Sequence, residues 1–371
     1  MNLSFIGRRW LAVGLGVALL AACGGGGNSA PASGGMGTSY VATSLVSDFS
    51  ASTNPYNSAN VDPKLVNAWG VAFNPVGFVW VANAGTSTST LYDGNGMPQS
   101  LVVSIPAGTA GAARPTGIVY NGTTDFVVSQ AGVSGASPFI FVGEAGTVSG
   151  WSPGVNLTSA IKVFDGAAAG AVYKGLALAS RGGANFLYAT DFHNARVDVF
   201  DATFTKVVAA GGFVDPAPRA GYAPFGIQAI GGSIYVTFAK QDVAAHANVD
   251  GAGLGIVDVF DTTGHFVKRL VDAGGPLNAP WGVALAPANF GPFSNALLVG
   301  NFGDGKINAF DVTTGALLGT LSNAGASPIA IDGLWGLAFG NGINGQPTNT
   351  LFFSGGPSGE THGVYGRIDL H

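Results

Sequence analysis

Charged residues are scarce in this chain: Asp, Glu, Lys and Arg together make up 9% of its 371 residues. No run of basic residues is present and basic residues do not alternate with aromatic ones, which argues against a nucleic-acid partner. Cys23 is the only cysteine, so no disulfide can form within the chain. A nucleophile elbow, a phosphate-binding glycine loop, a zincin helix and paired cysteine ligands are also missing, so no common catalytic motif assigns an activity.

Glycine and apolar residues, by contrast, are abundant. The chain has 60 Gly and 24 Phe, and hydrophobic residues make up 47% of it. Disordered chains contain too little apolar surface to form a core, so this composition excludes disorder despite the glycine content. The glycines instead fit the turns of a β-rich exported domain. The full chain is mildly acidic, with a net charge of −5.

The first 23 residues have the layout of a secretory signal. Arg8 and Arg9 precede an uncharged apolar run at residues 10–22, which is too short to span a bilayer comfortably. The run leads into residues 20–24 (LAACG), which resemble the bacterial lipobox. In a lipobox the Cys thiol receives a diacylglycerol and the signal is cut just before it, so Cys23 is the predicted lipidation site.

Three segments follow from this motif. The sequence predicts a lipoprotein signal peptide over residues 1–22, a lipidated Cys23 with a flexible Gly/Ser tether over residues 23–39, and a folded domain over residues 40–371. The alternative is an ordinary signal peptide with an incidental cysteine. A flexible coil as long as the tether spans roughly 20 Å. Gly24 favours the outer membrane, so we expect a domain held by lipid at the bacterial cell envelope.

Six internal repeats occupy the region from residue 67 onward. In each repeat a glycine is followed by an alternating apolar strand. The repeated glycines are Gly70, Gly117, Gly175, Gly226, Gly282 and Gly336. They lie 47 to 58 residues apart, which is typical of propeller blades with loop insertions.

Two further strands are predicted in each repeat. The second-strand segments are residues 78–83, 125–130, 186–191, 233–238, 296–301 and 350–354. Third strands often end in Phe-Asp, as at residues 196–201, 256–261 and 306–311. Short β runs bounded by Gly, Pro, Asn and Asp, with hardly any helical periodicity, predict an all-β fold of four-stranded blades.

Residues 190–201 (TDFHNARVDVFD) match the pattern of NHL repeats most closely. Over about residues 60–371 the chain resembles NHL-type propellers and, more narrowly, a group of exported bacterial propeller lipoproteins. The resemblance implies a six-bladed β-propeller and indicates little about chemistry. An unpaired blade edge would promote aggregation, so we expect the strand-like residues 39–46 to join the C-terminal blade and close the ring.

One mouth of the central channel is the predicted ligand site, because the loops before the first strand and after the second open on the same face. The first ring of residues comprises Trp69, Thr116, Lys174, Phe225, Trp281 and Trp335, and the second comprises Asn83, Gln130, Asp191, Lys240, Asn301 and Ser354. The expected binding mouth is Trp69, Trp281, Trp335, Asn83, Gln130, Lys240 and Asn301. Tryptophan has a flat apolar face and one N–H donor, which suits a sugar, an aromatic group or a peptide. The alternative is that the tryptophans pack between blades.

A divalent cation, Ca²⁺ or Mg²⁺, is the cofactor that a second resemblance implies. Gluconolactonase-type six-bladed propellers hold such a cation with one Glu and with Asn and Asp residues. Asn83, Asp191 and Asn301 could supply these oxygen ligands. The Glu has no match, since the only glutamates, Glu144 and Glu360, do not lie before the first blade.

Glu360 and His362 lie two residues apart in a glycine-rich loop, where they could form an acid–base pair. Streptogramin-lyase-like propellers use a His near a metal and an acidic group on this face. This resemblance makes Asp191, Glu360 and His362 the candidate catalytic residues. The alternative is an ordinary solvated loop.

A non-catalytic binding or scaffold module at the cell envelope is the predicted function. Its partner would be a carbohydrate, a peptide or an envelope protein, with no cofactor and no nucleic acid. The alternative is a metal-assisted hydrolase or lyase. Clustering of the candidate catalytic and metal-binding residues would favour the enzyme, whereas a channel lined by Trp and Asn would favour binding.

Overall fold

Alternating apolar residues and short fully apolar runs form β-strands throughout the computed structural model, which describes residues 38–50 and 54–371. The strands make six blade sheets around a central axis, so the predicted six-bladed β-propeller is confirmed. The predicted signal peptide, Cys23 and almost all of the tether lie outside the described residues. No helix within the described residues is long and apolar enough to cross a membrane.

The N-terminal half of the ring begins with two strands that precede blade 1. These are β1 (Tyr40–Ser47) and β2 (Asn60–Val61). Blade 1 contains β3 (Ala68–Phe73), β4 (Val79–Asn83), β5 (Thr88–Tyr92) and β6 (Pro98–Ser104). Blade 2 contains β7 (Pro115–Tyr120), a separate hairpin of β8 (Val127–Gln130) and β9 (Val133–Ala136), then β10 (Phe139–Gly143), β11 (Thr147–Trp151) and β12 (Ile161–Asp165). Blade 3 contains β13 (Tyr173–Arg181), β14 (Ala184–Asp191), β15 (Arg196–Phe200) and β16 (Lys206–Val207).

The C-terminal half completes the ring. Blade 4 contains β17 (Tyr222–Ile230), β18 (Ser233–Gln241), the short β19 (Asn248–Val249), β20 (Gly255–Asp261) and β21 (Phe266–Val271). Blade 5 contains β22 (Pro280–Leu285), β23 (Leu297–Asn301), β24 (Ile307–Phe310) and β25 (Leu317–Thr320). Blade 6 contains β26 (Leu334–Phe339), β27 (Leu351–Gly355) and β28 (Val364–Leu370). Short helical turns occur at Ala167–Ala169, Gly291–Phe293 and Pro357–Glu360.

Strand β1 supplies the fourth strand of blade 6. It pairs antiparallel with β28 from Tyr40 opposite Leu370 to Ser47 opposite Val364. The Tyr40 hydroxyl also donates a hydrogen bond of 2.8 Å to the carbonyl of Phe290 in blade 5. The predicted closure of the ring by an N-terminal strand is therefore confirmed, with the strand shifted by one residue.

The six repeated glycines lie where neighbouring inner strands approach each other most closely. A Cβ on Gly226 would lie 2.0 Å from the carbonyl oxygen of Trp281 in the next blade. A Cβ on Gly336 would lie 2.5 Å from the carbonyl oxygen of Trp69, which joins blade 6 to blade 1. No side chain fits at these positions, so the sequence repeat reflects blade-to-blade packing around the axis.

Hydroxyl groups on second strands add polar links between blades. Thr190 accepts a hydrogen bond of 2.7 Å from the amide of Gly175 and donates one of 2.6 Å to the carbonyl of Phe225. Thr237 forms the same kind of link from blade 4 to blade 5. Ser354 connects blade 6 to the Trp69 carbonyl. Each hydroxyl thus satisfies two buried backbone groups at once.

The hydrophobic core lies between the blades. Among the described residues, six apolar clusters each fill the space between two neighbouring blades. Between blades 1 and 2, for example, Trp80 stacks on Phe139 with ring centroids 4.1 Å apart. Every blade is therefore buried on both faces, which is why its central strands are almost wholly apolar.

The second strand of blade 2 corrects one sequence prediction. Residues 125–130 were predicted to form it, but the position is taken by β10, which pairs with β7. β10 is buried on both sides, whereas Val127 and Gln130 are exposed in the β8–β9 hairpin. The fully apolar run FIFV fits between two neighbouring blades, and the more polar run DFVVSQ does not.

Candidate functional site

The face on which the six inner strands begin is called the upper face here, and the opposite face is called the lower face. Residues directly before the inner strands have left-handed φ angles in five blades: Asn67, Arg114, Gly221, Ala279 and Gly333, with φ from 46° to 78°. This conformation is uncommon outside glycine. The left-handed residue turns the chain into the inner strand at the upper mouth. Asn67 and Arg114 therefore lie beside the mouth.

Aromatic side chains close the upper mouth. We call this set the aromatic plug: Trp69, Phe192, Phe225, Trp281, Phe302 and Trp335. Trp69 and Trp335 are stacked with ring centroids 3.5 Å apart, and the edge of Trp281 approaches both. Trp69 and Trp335 are 1% and 0% exposed. The three predicted mouth tryptophans therefore contact one another, and Trp69 and Trp335 present no open stacking face, whereas Trp281 is partly buried.

The three indole N–H groups of the plug differ in their partners. Trp335 donates to the side-chain oxygen of Asn67 at 3.2 Å, and Trp281 donates to the carbonyl of Lys174 at 3.1 Å. The buried Nε1 of Trp69 has no hydrogen-bond partner among the described residues. The plug is thus tied to polar residues on its rim through two of its three tryptophans.

A buried ion pair lies directly beside the plug. Nζ of Lys174 contacts the carboxylate of Glu144 and lies 5.2 Å from the ring centroid of Trp69. Burial acts to raise the pKa of Glu144, but the attraction and hydrogen bond of Lys174 outweigh it, so the pKa is lowered from its ordinary value. Glu144 is therefore held as a carboxylate at the mouth.

Glu360 reaches the same rim from the last upper loop. Ser358, Gly359 and Glu360 follow one another with left-handed φ angles of 57°, 64° and 67°. Asn67 Nδ2 donates to Glu360 Oε2 at 3.1 Å. Burial raises the pKa of Glu360, and the negative charge of Glu144 raises it further. Left-handed residues other than glycine are costly, and such conformations concentrate at functional sites.

The only two glutamates of the chain therefore share one mouth and titrate in opposite directions. Glu144 is stabilised as an ionised acceptor, whereas Glu360 takes up a proton more readily than an ordinary Glu. Carboxyl groups with pKa values shifted apart at one position are typical of binding and catalytic sites.

An open cleft adjoins Glu144 between blades 2 and 3. This upper cleft has a volume of about 370 Å³. Its polar lining consists of Arg114, Glu144 and His246, and most of the remaining lining is alanine and glycine. His246 comes from the long connection between β18 and β20, where Asp242 accepts a hydrogen bond of 2.8 Å from its amide. The cleft thus combines a smooth apolar floor with three polar groups.

The predicted oxygen ligands Asn83, Asp191 and Asn301 occupy equivalent buried positions at the ends of the second strands. Asn83 donates to the hydroxyl groups of two threonines at 3.2 and 3.0 Å. Asn301 donates to a carbonyl at 2.9 Å and to Asp304 at 3.0 Å. Asp191 accepts hydrogen bonds from the Val172 amide and from Asn194. The carboxylate of Asp191 is therefore occupied locally, whereas the buried Oδ1 atoms of Asn83 and Asn301 have no hydrogen-bond partner among the described residues.

Other predicted mouth residues lie at different places. Gln130 is in the β8–β9 hairpin on the lower face, where it accepts a hydrogen bond from Asn156 at 2.9 Å. Lys240 is exposed near the end of the long strand β18. In the first ring, Thr116 is buried and donates to the Tyr173 carbonyl at 2.9 Å.

His362 and Glu360 contact different partners despite their proximity in sequence. His362 Nδ1 lies 2.9 Å from Asp48 Oδ2, and its ring stacks on Phe49 at 3.8 Å. Glu360 instead bonds Asn67. His362 thus connects the last upper loop to the segment that follows β1.

No group of three His, Cys, Asp or Glu side chains within residues 38–50 and 54–371 is placed to hold a metal ion. Sequence reasoning missed Asn67, Arg114, Glu144 and His246 as site residues. The signal for Glu144 was present: it directly follows the fully apolar β10. Assigning that run as the second strand puts Glu144 at the upper mouth.

Comparison with known proteins identifies relatives but no defined family model, since none matches. Mimivirus protein R648, from Acanthamoeba polyphaga mimivirus, is 34% identical over 331 residues, covering 86% of this chain and 79% of its own. Protein L690 of the same virus is 33% identical over 321 residues, covering 84% and 82%. The chain belongs to the family of these proteins. Both relatives are described only as uncharacterised.

Solved structures with the same fold include propeller enzymes. A catalytically inactive virginiamycin B lyase from Staphylococcus aureus with quinupristin has a TM-score of 0.50 at 12% identity, covering 90% of this chain and 99% of that chain. A gluconolactonase from Xanthomonas campestris has a TM-score of 0.49 at 15% identity, covering 83% and 87%. At such low identity the likeness to the lyase shows the shared fold alone.

Proposed function

We propose that this propeller is a binding module whose ligand, a mono- or disaccharide, enters the upper cleft. The observation that carries the proposal is the carboxylate of Glu144, which is fixed by buried Lys174 and borders an open cleft. The cleft volume falls within the range of small-molecule sites, roughly 300–1,000 Å³. Such sites combine apolar walls with a few convergent polar groups, as this one does.

The polar groups of the cleft suit hydroxyl groups. Glu144 accepts hydrogen bonds, Arg114 donates them, and His246 can do either. The side chain of Arg114 is 61% exposed, so it can reorient towards a ligand. The alanine and glycine floor leaves space for a sugar ring. Binding of this kind requires no reaction. His362 contacts Asp48 and Glu360 contacts Asn67, so the acid–base pair of the hydrolase or lyase alternative gains no specific support.

Isothermal titration of the full-length protein with a panel of neutral mono- and disaccharides tests the proposal. At least one sugar should bind, and Arg114→Gln should weaken its binding by about tenfold through loss of charge-assisted hydrogen bonds. Glu144→Gln should weaken binding at least as much, but it leaves Lys174 buried without an ionic partner, so its folding must be checked. Arg181→Gln, on the lower part of blade 3, is the matched control and should bind normally.

Failure of every sugar to bind would contradict the carbohydrate proposal. Equal binding by the wild type and Arg114→Gln would place the ligand elsewhere on the molecule.

We also propose that Cys23 anchors the module by lipid at the bacterial cell envelope, in the outer membrane, as the lipobox-like residues 20–24 suggest. The position of β1 supports this arrangement. Tyr40 begins β1 beside Phe290 and Phe293, which lie in a lower-face loop. An anchor that precedes Tyr40 would therefore join the face opposite the upper cleft and leave the cleft open to ligands.

A further inference from the structure

A second cleft with a different chemistry lies between blades 3 and 4. Its volume is about 270 Å³. Three arginines line it, Arg196, Arg219 and Arg269, together with one acidic residue, Asp215. Residues 38–50 and 54–371 contain six arginines, so half of them border this one cavity. We call it the arginine cleft.

Carboxylates hold two of the arginines from within blade 4 and its neighbouring loops. Nε of Arg269 lies 3.0 Å from Asp258, and its Nη2 contacts Asp215. Arg219 contacts both oxygens of Asp272, at 3.3 and 2.5 Å. Guanidinium groups held in this way are ordered before a ligand arrives, so less conformational entropy is lost on binding.

Arg196 completes the set from blade 3. Its Nε contacts Asp198 at 2.9 Å and its Nη2 contacts Asp191 at 3.2 Å. Arg196 and Arg219 are nevertheless 43% and 51% exposed. Their Nη1 groups form no hydrogen bond within the described part of the chain, so each keeps donors available to a ligand.

The remaining walls of the cleft are apolar and aromatic. Phe213, Tyr222 and Phe238 line it beside the arginines. A strongly hydrated inorganic anion would gain nothing from such walls. A planar ring can pack against aromatic side chains while its acidic substituent faces the guanidinium groups.

We propose that the arginine cleft binds an aromatic carboxylate, with the carboxylate on Arg196 and Arg219 and the ring between Phe213 and Tyr222. This site lies between a different pair of blades from the upper cleft and shares no lining residue with it. The proposal is therefore independent of sugar binding.

Isothermal titration of the full-length protein with 4-bromobenzoate tests this assignment, with the uncharged isostere 4-bromobenzamide as the matched ligand. The carboxylate should bind at least tenfold more tightly than the amide. Arg219→Gln should weaken carboxylate binding by about tenfold, and Arg219→Lys should restore only part of it, because Lys lacks the planar fork. Arg219 lies at the rim, so these variants should fold, and Arg181→Gln serves as the distant control.

Bromine also allows the ligand to be located directly. Anomalous diffraction from crystals grown with 4-bromobenzoate should show bromine between Phe213 and Tyr222. Equal affinity for the acid and the amide, unchanged binding by Arg219→Gln, or bromine at another position would each overturn the proposal. Tighter binding of inorganic phosphate than of the aromatic acid would do the same, since it would leave the aromatic walls without a role.

Discussion

At the scale of single residues, the buried ion pair of Lys174 and Glu144 is the main feature of the upper mouth. Lys174 is enclosed by the aromatic plug and has Glu144 as its ionic partner. Removing one member of a buried pair leaves the other charge without compensation, which costs about 3–5 kcal/mol. The pair therefore positions the Glu144 carboxylate before any ligand binds.

A second buried carboxyl group, Asp258, makes stability depend on pH. Burial raises its pKa to about 6 from the ordinary 3.8, although Arg269 acts in the opposite direction. The folded protein then holds a proton that the unfolded chain has lost, so stability should fall as pH rises from about 4 to about 6. A shift of this size corresponds to roughly 3 kcal/mol.

Chemical denaturation of the wild type and Asp258→Asn across this pH range measures the effect. Because Asn does not titrate, the free energy of unfolding of the wild type should decline relative to that of the variant as pH rises. Parallel profiles for the two proteins would show that Asp258 has an ordinary pKa.

At the scale of single elements, the inner strands depend on their repeated glycine. A side chain on Gly226 would collide with the backbone carbonyl of Trp281, which cannot move without displacing blade 5. Gly226→Ala should therefore lower the free energy of unfolding by about 1–3 kcal/mol or more. Gly154→Ala is the control, because a Cβ there meets nothing within 4 Å. Thermal unfolding of both variants measures the difference, and equal melting would refute the role in packing.

Strand β1 closes the ring, so we expect the stability of the fold to depend on it. Deleting residues 40–47 removes the fourth strand of blade 6 and exposes the edge of β28. We expect the truncated protein to lose cooperative unfolding, as followed by circular dichroism, and to aggregate through the free edge. A truncated protein that melts like the wild type would argue against ring closure by this strand.

At the scale of the whole molecule, the ring presents two different faces. The upper face carries the aromatic plug, the upper cleft and the arginine cleft. The lower face carries Tyr40, where the described part of β1 begins, and the wide end of the channel, a cavity of about 460 Å³. In the proposed function, ligands would therefore enter from the upper face, and the lipid anchor would precede the strand that begins at the lower face.

Cys23→Ser tests the proposed attachment. In a bacterial host, the wild type should fractionate with membranes, whereas the variant should be released or remain as an uncleaved precursor. Mass spectrometry of the mature N-terminus should find the acyl chains only on the wild type. Normal processing and membrane association of the variant would show that Cys23 is incidental.

The fold was predictable because its signals are local and repeated. Six glycines at similar spacing, each followed by an apolar strand, indicate six blades. Residues 39–46 have the pattern of a strand and belong to none of the six repeats. The error in blade 2 arose because DFVVSQ and FIFVG are both plausible strands in isolation. Only burial between two neighbouring blades decides which run forms the second strand, and burial is not a local property of the sequence.

The candidate site was less predictable for the same reason. The sequence predicts that Trp69, Trp281 and Trp335 lie at one mouth of the channel, yet their exposure depends on contacts among blades 1, 5 and 6. Asn67 contacts Glu360, and the charge of Glu144 acts on Glu360, although the three residues are far apart in the chain. No spacing rule connects such residues.

The sequence by itself determined the number of blades, their inner strands and the strand that closes the ring, because backbone geometry and hydrophobic patterning act over a few residues. The tertiary structure decided that the tryptophans fill the mouth, that Glu144 pairs with Lys174, and that three arginines share one cleft. Those outcomes depend on packing and charge interactions between side chains of separate blades. Only the assembled ring brings these side chains together.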